Sequence, residues 1–292
     1  MPVSVTVAFM RDLNDLQANR DAEHLVESAE VANVLPAVML RLQRVFASER
    51  GTVAEAVEVI RGDPKLTHEL IAMANRGGFA RLRAVTRLES AVERLGLKSV
   101  RDASLALALA EEVSGGPMVR NRLCRHMLAT GCIAAELVRG HRGFLVGDAF
   151  VAGVLHDIGI LVLFDLGPEW YGDLVAQAGR TMLGLEALEF ADIGFDHTQL
   201  GDLCLRRWGF SNEVCMGVKT HHDDIQTALG ETVALADELE VGLGVGLPVE
   251  AVVEEAMDHR GAVSLALGVE DLQKRLEKGL IEYKRIIEAC GR

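Results

Sequence analysis

Residues 149–164 read AFVAGVLHDIGILVLF, an apolar run broken only by the adjacent pair His156 and Asp157. A helix that is apolar on every face lies inside a protein, so this run predicts a buried core helix. A carboxylate buried there costs free energy unless it is paired with a cation or binds a metal. Adjacent side chains on a helix point about 100° apart, so His156 and Asp157 can bind the same metal only if the metal lies close to the helix. Gly153 and Gly159, which have no side chains, would leave room for such a position. The pair is a candidate metal site, although a capping Asp157 beside a hydrogen-bonded core His156 fits the run equally well.

Length and composition are those of an ordinary soluble globular protein. The chain has 292 residues, enough for one large domain or two modest ones, of which 49% are hydrophobic and 25% charged. Lys and Arg number 30 against 43 Asp and Glu, which gives a net charge of −13. With 4% aromatic residues, such an acidic chain has neither the positive surface nor the stacking platforms of a general nucleic-acid binder. General nucleic-acid binding is therefore excluded.

Three features predict a cytoplasmic protein with no membrane segment. The run at 149–164 is interrupted by the His–Asp pair and is too short to cross a bilayer. A secretory signal has basic residues ahead of its apolar stretch, and the apolar stretch at the start of this chain has none. The 5 cysteines form no CxxC pair, and such a sparse set is typical of a reducing compartment.

Helical periodicity covers nearly the whole chain, apart from a loose alternation at 3–9 that predicts a short strand. Helix starts are marked by Asp63 before a proline and by two sequences that look like capping boxes, at 52–55 and 86–89. Breaks rich in Gly and Pro at 114–117 and 242–248 interrupt the pattern. The helices predicted after the first break are 118–139, 148–165, 168–180, 184–192, 197–208, 211–222, 231–241, 249–259 and 270–289.

Further histidines and an aspartate lie on predicted helices around the His–Asp pair. His126 lies at the edge of an apolar stripe, and Asp237 lies on an apolar face without an obvious partner. His197 lies at a helix start, while His221 and His222 close the helix predicted at 211–222. Each alone has a simpler interpretation, such as a core hydrogen bond or a contact with helix-end carbonyls. Together they supply nitrogen and oxygen ligands suited to a divalent transition metal.

The order H…HD…D resembles the HD superfamily of metal-dependent phosphohydrolases. The wider pattern, over about residues 30 to 240, resembles the HDOD domain, a relative found in bacterial signalling proteins. Any one of the motifs is weak, but the combination is specific. The motifs are Leu35-Pro36, Asp63-Pro64-Lys65-Leu66, Asn75, AVERLGL at 91–97, AGVLHDIG at 152–159, DHTQLG at 196–201, Trp208 and His221-His222.

The resemblance implies an all-α fold, a two-lobed helical bundle in which an HD-like lobe at 117–242 follows an N-terminal helical lobe at 30–116. Residues 1–29 would form an N-terminal extension, and 243–292 would form C-terminal helices. One or two divalent ions of Fe, Mn, Zn or Ni would bind at the positions that match the ligands of HD phosphodiesterases. Those positions are His126, His156, Asp157, His197, His221, His222 and Asp237. HDOD domains often lack some of these ligands, whereas this chain keeps the full set.

The resemblance leaves three functions open. The first is a signal-transduction HDOD module with a metal-binding HD-type site that binds a signalling protein or a small phosphorylated ligand, with a homodimer allowed. The second is a metal-dependent phosphohydrolase or phosphodiesterase acting on a nucleotide or phosphodiester. The third is a structural helical protein with no metal. Two departures weigh against cyclic-dinucleotide hydrolysis: Ile160 stands where active HD-GYP enzymes carry a lysine, and DDIQ at 223–226 replaces the GYP stretch.

Overall fold

The computed structural model describes residues 21–27, 34–48, 51–76, 82–115, 118–180 and 184–290. These residues are predominantly α-helical and contain no strand, which confirms the predicted all-α class. The strand predicted at 3–9 lies outside the described residues.

The helices follow one another through short connections. A helical segment at 21–27 precedes five helices of the first half of the chain. These are α1 (Ala37–Ala47), α2 (Val53–Arg61), α3 (Pro64–Met73), α4 (Leu88–Leu95) and α5 (Leu97–Gly115). The middle of the chain forms α6 (Met118–Leu137), α7 (Val146–Leu155), α8 (Ile158–Leu166), α9 (Pro168–Ala178), α10 (Leu185–Ile193), α11 (His197–Arg207), α12 (Asn212–Lys219) and α13 (Ala228–Gly244). The last part forms α14 (Val249–Glu255), a 3-10 turn (Ala256–Asp258), α15 (Arg260–Ser264) and α16 (Val269–Cys290).

One of the two predicted capping boxes is confirmed and the other is wrong. At 52–55, the Thr52 hydroxyl accepts the backbone N–H of Glu55, whose carboxylate accepts the backbone N–H of Thr52. At 86–89, helix α4 instead begins after Arg87, and no side chain caps it. The physical reason is competition, because the Glu89 carboxylate lies 2.7 Å from Arg61 and 3.5 Å from Arg87 and pairs with these guanidinium groups.

The apolar run forms two helices, not the single helix predicted at 148–165. Helix α7 ends at Leu155 and α8 begins at Ile158, and Asp157 between them adopts φ −99° and ψ 19°. The break turns the two adjacent side chains toward one point, so that Nε2 of His156 lies 3.3 Å from Oδ2 of Asp157. In a continuous helix the two side chains would point about 100° apart. The break lets both face the same metal.

Burial, and not length, is what sets the apolar run apart from a membrane span. Together α7 and α8 span Val146–Leu166, 21 residues whose most apolar 18-residue window has a mean hydropathy of 1.9, and this is long and apolar enough to cross a bilayer. The prediction that the run is too short was therefore wrong, because it counted only 149–164. In the fold, 78% of its most apolar window is buried inside the protein, as expected of a core element.

Two helix ends near the candidate residues also differ from the prediction. Helix α12 stops at Lys219, where the Thr220 hydroxyl donates to the Met216 carbonyl, so the His-His pair follows the helix instead of closing it. Helix α13 extends to Gly244, so part of the predicted break at 242–248 is helical. Propensity alone argues against helical glycine, but here α13 packs on the C-terminal helices, and this packing outweighs propensity.

The core is built where small residues let helices approach. A Cβ on Gly153 of α7 would lie 2.8 Å from Cα of Gly131 of α6, so these two helices meet almost backbone to backbone. A Cβ on Gly279 would lie 2.8 Å from Cα of Ile133, so α16 crosses α6 as closely. One buried apolar cluster runs from the first-half helices to α13, and a second joins α6 and α13 to the C-terminal helices. Helix α6 thus lies at the centre of both clusters.

Arg275 of α16 closes the C-terminus of α6. Its Nη1 donates to the carbonyls of Glu136, Leu137 and Arg139, at 2.7, 3.1 and 2.8 Å. We expect Arg275→Met to keep the apolar stem but lower the free energy of unfolding by about 2 kcal/mol, because it removes charge-assisted bonds to helix-end carbonyls. Lys274→Met, at the neighbouring exposed position, is the matched control and should change it by less than about 0.5 kcal/mol. Urea unfolding measures both, and equal stabilities would contradict the capping role.

Candidate metal centre

The structure brings all seven predicted ligand residues into one connected cluster. His126 lies on α6 and Asp237 on α13. His156 and Asp157 form the break between α7 and α8, and His197 is the first residue of α11. The remaining two histidines lie in the turn after α12. The residues come from distant parts of the chain, so the site exists only in the folded protein.

The first group of ligand atoms surrounds Nε2 of His126. This nitrogen lies 3.1 Å from Nε2 of His156, 3.1 Å from Oδ1 of Asp237 and 3.5 Å from Oδ2 of Asp157. Oδ1 of Asp237 is also 3.8 Å from Nε2 of His156. Two imidazole nitrogens and two carboxylates therefore face one another across a space of the size that a metal ion occupies between its ligands.

The second group shares Asp157 with the first. Oδ1 of Asp157 lies 3.5 Å from Nε2 of His197 and 3.8 Å from Nε2 of His221. The ring of His222 completes the group, with its centroid 4.0 Å from that of His221 and 5.3 Å from that of His197. In the second group, and among His126, His156 and Asp157 of the first, one ligand atom per residue lies within 4.8 Å of all the others. The two oxygens of Asp157 thus face two different ligand sets.

Two of the histidines are held by backbone carbonyls. Nδ1 of His156 lies 2.8 Å from the carbonyl oxygen of Gly153, and Nδ1 of His221 lies 2.6 Å from that of Val218. A carbonyl only accepts, so in each ring Nδ1 carries the proton and Nε2 keeps its lone pair. Both lone pairs therefore face the site, which is the tautomer a metal ligand needs.

Two further histidines, the half-buried His126 and the buried His197, are held by carboxylates. Nδ1 of His126 lies 2.5 Å from Oε2 of Glu240, and Nδ1 of His197 lies 2.7 Å from Oε2 of Glu189. Tyr171 in turn donates its hydroxyl to the other oxygen of Glu189. Carboxylates behind histidines fix the ring and raise its basicity as a ligand. Each ligand group therefore contains one histidine backed by a carboxylate and one backed by a carbonyl.

Two ring nitrogens of the site are left without hydrogen-bond partners. Nε2 of His197 and Nε2 of His221 are buried and have no partner in the part of the chain that the structure describes. Buried polar atoms in folded proteins are nearly always paired, so this absence requires an explanation. Imidazole nitrogens and carboxylate oxygens, without a thiolate, are a donor set suited to a divalent transition metal. The residues present therefore fit such an ion.

The pKa values of the titratable groups in the site are shifted in different directions. Burial and the neighbouring charge of His222 hold the pKa of His221 well below its usual value, which keeps it neutral and available as a ligand. Burial also lowers the pKa of His197, but the Glu189 carboxylate outweighs this and raises it to about 9. For Asp237 the penalty of burial is overcome by hydrogen bonding to His126, which lowers its pKa to about 2. Metal uptake by such a site would release protons.

Gly159 sets the distance between α8 and the start of α11. A Cβ at this position would lie 2.1 Å from the carbonyl oxygen of His197, so only glycine allows the contact. A Cβ at Gly201 would lie 3.3 Å from the Ile158 side chain, which makes the same interface tight one turn later. The sequence predicts that Gly159 lets a metal approach the His–Asp pair; in the structure, the group that Gly159 admits is the backbone of His197.

Three residues of the site were missed from the sequence: Glu240, Glu189 and Tyr171. Glu240 lies three residues after Asp237 on the same helix, so its position on the same face was a signal that could have been used. Glu189 gives no such signal, because it stands in the charged-apolar pattern LEALEF like an ordinary surface carboxylate and is nevertheless fully buried.

Ile160, which the resemblance places where active HD-GYP enzymes carry a lysine, is buried in the first of the two apolar clusters. No ammonium group is therefore available at this position beside the ligand groups.

Comparisons with known proteins agree with this architecture. The HDOD domain family matches residues 33–224. An uncharacterized protein of Treponema pallidum (strain Nichols) is 22% identical over 211 residues, 71% of this chain, and the chain spans 40% of that protein's length. The family match includes six of the seven ligand positions, and Asp237 lies beyond it.

Solved structures share the fold at low sequence identity. A "Putative phosphohydrolase" from Shewanella amazonensis SB2B has a TM-score of 0.69 and 20% identity, covering 91% of this chain and 99% of that chain. An HDOD domain protein with unknown function from Geobacter sulfurreducens has a TM-score of 0.66 and 23% identity, covering 87% of this chain and 91% of that chain. These likenesses extend the shared fold over both halves of the chain.

Proposed function

Because the chain belongs to the HDOD family, we propose that it is a signalling module that acts by ligand or partner binding and carries a metal-binding HD-type site. One or two divalent transition-metal ions are the proposed occupants. The observation that carries the proposal is the pair of buried Nε2 atoms on His197 and His221, which face Asp157 and lack a partner in the described part of the chain. A metal ion would satisfy both nitrogens.

The two ligand groups assign residues to two ions. His126, His156, Asp157 and Asp237 would hold one ion, and Asp157 with the three remaining histidines would hold the other. When bound, such ions supply positive charge and Lewis acidity toward an anionic ligand. The chain's own contribution is orientation, because hydrogen bonds at Nδ1 fix four of the five histidine rings with Nε2 toward the site.

The donor set restricts the metal. Neither ligand group contains a cysteine, and Cys124, Cys132, Cys204 and Cys215 are buried outside both groups. Mixed imidazole and carboxylate ligands suit Fe, Mn, Zn or Ni, with the choice set by geometry and supply. A sparse set of cysteines without a CxxC pair is typical of a reducing compartment, so a cytoplasmic location is part of the proposal.

A metal-dependent phosphohydrolase is the second candidate. The observation in its favour is Asp157, whose two oxygens face different ligand groups, as a carboxylate does when it bridges two ions in two-metal hydrolases. The observation against it is Ile160, which leaves an aliphatic side chain where a lysine could protonate a leaving group. Binding of a signalling protein or a small phosphorylated ligand, in a monomer or homodimer, is therefore proposed ahead of turnover.

Elemental analysis of purified protein, before and after chelation and reloading, tests the metal site. We expect one or two equivalents of a transition metal per chain, and no hydrolysis of bis-p-nitrophenyl phosphate, nucleotides or cyclic dinucleotides by the loaded protein. Turnover that disappears on chelation would favour the phosphohydrolase. Protein that takes up no metal after reloading would refute the metal site and leave the structural helical protein.

A further inference from the structure

We infer that Glu189, held in place by Tyr171, is a positioning residue that aligns His197 for metal binding; the inference rests on the proposed metal site. Neither residue is among the proposed ligands. Glu189 lies on α10 and Tyr171 on α9, two helices that contribute no ligand of their own. Helices α9 and α10 would thus support the site from behind His197.

Glu189 holds both the backbone and the ring of the same ligand. Its Oε2 accepts the backbone N–H of His197 at 2.8 Å and the ring Nδ1–H at 2.7 Å. Two bonds from one oxygen to one residue fix the position of the residue and the rotation of its side chain together. The free Nε2 is thereby directed at Asp157, which lies 3.5 Å away.

The helix start does not need Glu189 for its own capping. Asp196 precedes α11, and its carboxylate accepts the backbone N–H of Gln199 in a capping box. The bond from Glu189 to the ring of His197 therefore serves the orientation of the ring, which capping would leave free.

Tyr171 anchors the carboxylate from the far side. It is fully buried and donates its hydroxyl to Oε1 of Glu189. Its ring packs edge-on against Phe164 of α8, with centroids 4.9 Å apart and planes at 87°. Because α8 begins at the Asp157 break, this chain of contacts connects His197 to the helix that carries the shared ligand.

Burial distinguishes Glu189 from Glu240, the other carboxylate behind a histidine. Glu189 is 0% exposed, whereas the Glu240 side chain is 23% exposed. A buried carboxylate is retained only where its lone pairs are satisfied, and Glu189 accepts three hydrogen bonds. A fixed, fully desolvated partner restrains His197 more than an accessible one restrains His126.

Cobalt titration of the metal-free protein tests the inference, with calorimetry for affinity and visible absorption for ligand geometry. Glu189→Gln keeps the size of the side chain and removes its charge, and we expect an affinity loss of about 10-fold at one of the two ions. Glu189→Ala also removes the restraint on the ring, and the loss should approach about 100-fold. Tyr171→Phe, which keeps the ring packing, should weaken binding less than Glu189→Gln does.

Two control variants make the same types of substitution, acid to amide and tyrosine to phenylalanine, away from the site. Asp192→Asn alters an exposed carboxylate on the same helix as Glu189, and its partner is the indole of Trp170. Tyr283→Phe removes the hydroxyl of the other tyrosine in the chain, a residue of α16. Both should match the wild type in affinity and in cobalt spectrum.

The outcomes separate the two proposals. A changed cobalt spectrum with weakened affinity in Glu189→Gln supports the positioning role, since a purely structural role would shift the melting temperature and leave the spectrum unchanged. Wild-type protein that binds cobalt while Glu189→Gln matches it in affinity and spectrum overturns the role of Glu189 alone. Wild-type affinity in Tyr171→Phe overturns the part assigned to Tyr171. Wild-type protein that binds no cobalt overturns the proposed metal site and this inference with it.

Discussion

Asp157→Ala is expected to abolish metal binding at both ligand groups. Asp157 belongs to each group, with Oδ2 toward His126 and His156 and Oδ1 toward His197 and His221. Removing the side chain takes the carboxylate ligand away from one ion and one of two carboxylates away from the other. The loss should exceed the roughly 10- to 100-fold that removal of an outer partner costs. Metal content after reloading and dialysis measures it.

Asp237→Ala is the comparison variant, which should distinguish the loss of one ion from the loss of both. Asp237 lies 3.1 Å from Nε2 of His126 and is absent from the group of His197, His221 and His222. Its removal should therefore cost one ion and spare the other, whereas Asp157→Ala should cost both. Equal losses in the two variants would mean that one ion binds across both groups.

Asp165→Ala is a control that removes a carboxylate from α8 at a position outside both ligand groups. Asp165, near the end of α8, pairs with Arg120 at the surface, 2.7 Å away. Asp165→Ala should retain the wild-type metal content. If Asp157→Ala also retained its metal, the site would not be centred on Asp157, and the assignment of both ligand groups would fail.

Much of the site could be predicted because its residues are chemically unusual where they stand. His156 and Asp157 interrupt an apolar run, and that contrast is visible in the sequence alone. Periodicity, however, describes runs of residues and is insensitive to a single residue that leaves the helical region. The break at Asp157 was therefore missed, although it brings the pair to one point.

The residues that could not be predicted are those whose role depends on tertiary contacts. Glu189 has the composition and neighbours of a surface carboxylate, and only the packing of α9 and α10 buries it beside His197. The failed capping box at 86–89 has the same cause, since Arg61 lies 28 residues away from Glu89 in the sequence and competes for its carboxylate. Local patterns predict local bonds, and a distant partner can replace them.

Gly159→Ala is expected to be among the most damaging single-methyl changes in the described part of the chain. The added Cβ would lie 2.1 Å from the carbonyl oxygen of His197 and 2.9 Å from its Cα, and these are backbone atoms that cannot rotate away. Overpacking of this kind costs roughly 1 to 3 kcal/mol and occasionally more, so we expect a loss of about 3 kcal/mol in the free energy of unfolding. Alanine is otherwise the better helix former by about 0.5–1 kcal/mol, so the clash must exceed that gain.

Gly172→Ala provides the matched control for this substitution. Gly172 lies within α9, where a Cβ would meet only Cε1 of Phe164 at 3.9 Å, an ordinary contact. With no clash to oppose the gain in helix propensity, this variant should be more stable than the wild type by about 0.5–1 kcal/mol. Urea unfolding of the metal-free proteins measures both changes, and opposite signs are expected. Since the clash displaces the backbone of a ligand, Gly159→Ala should also weaken metal binding at the group of His197, and wild-type stability and affinity together would contradict the close approach of α8 and α11.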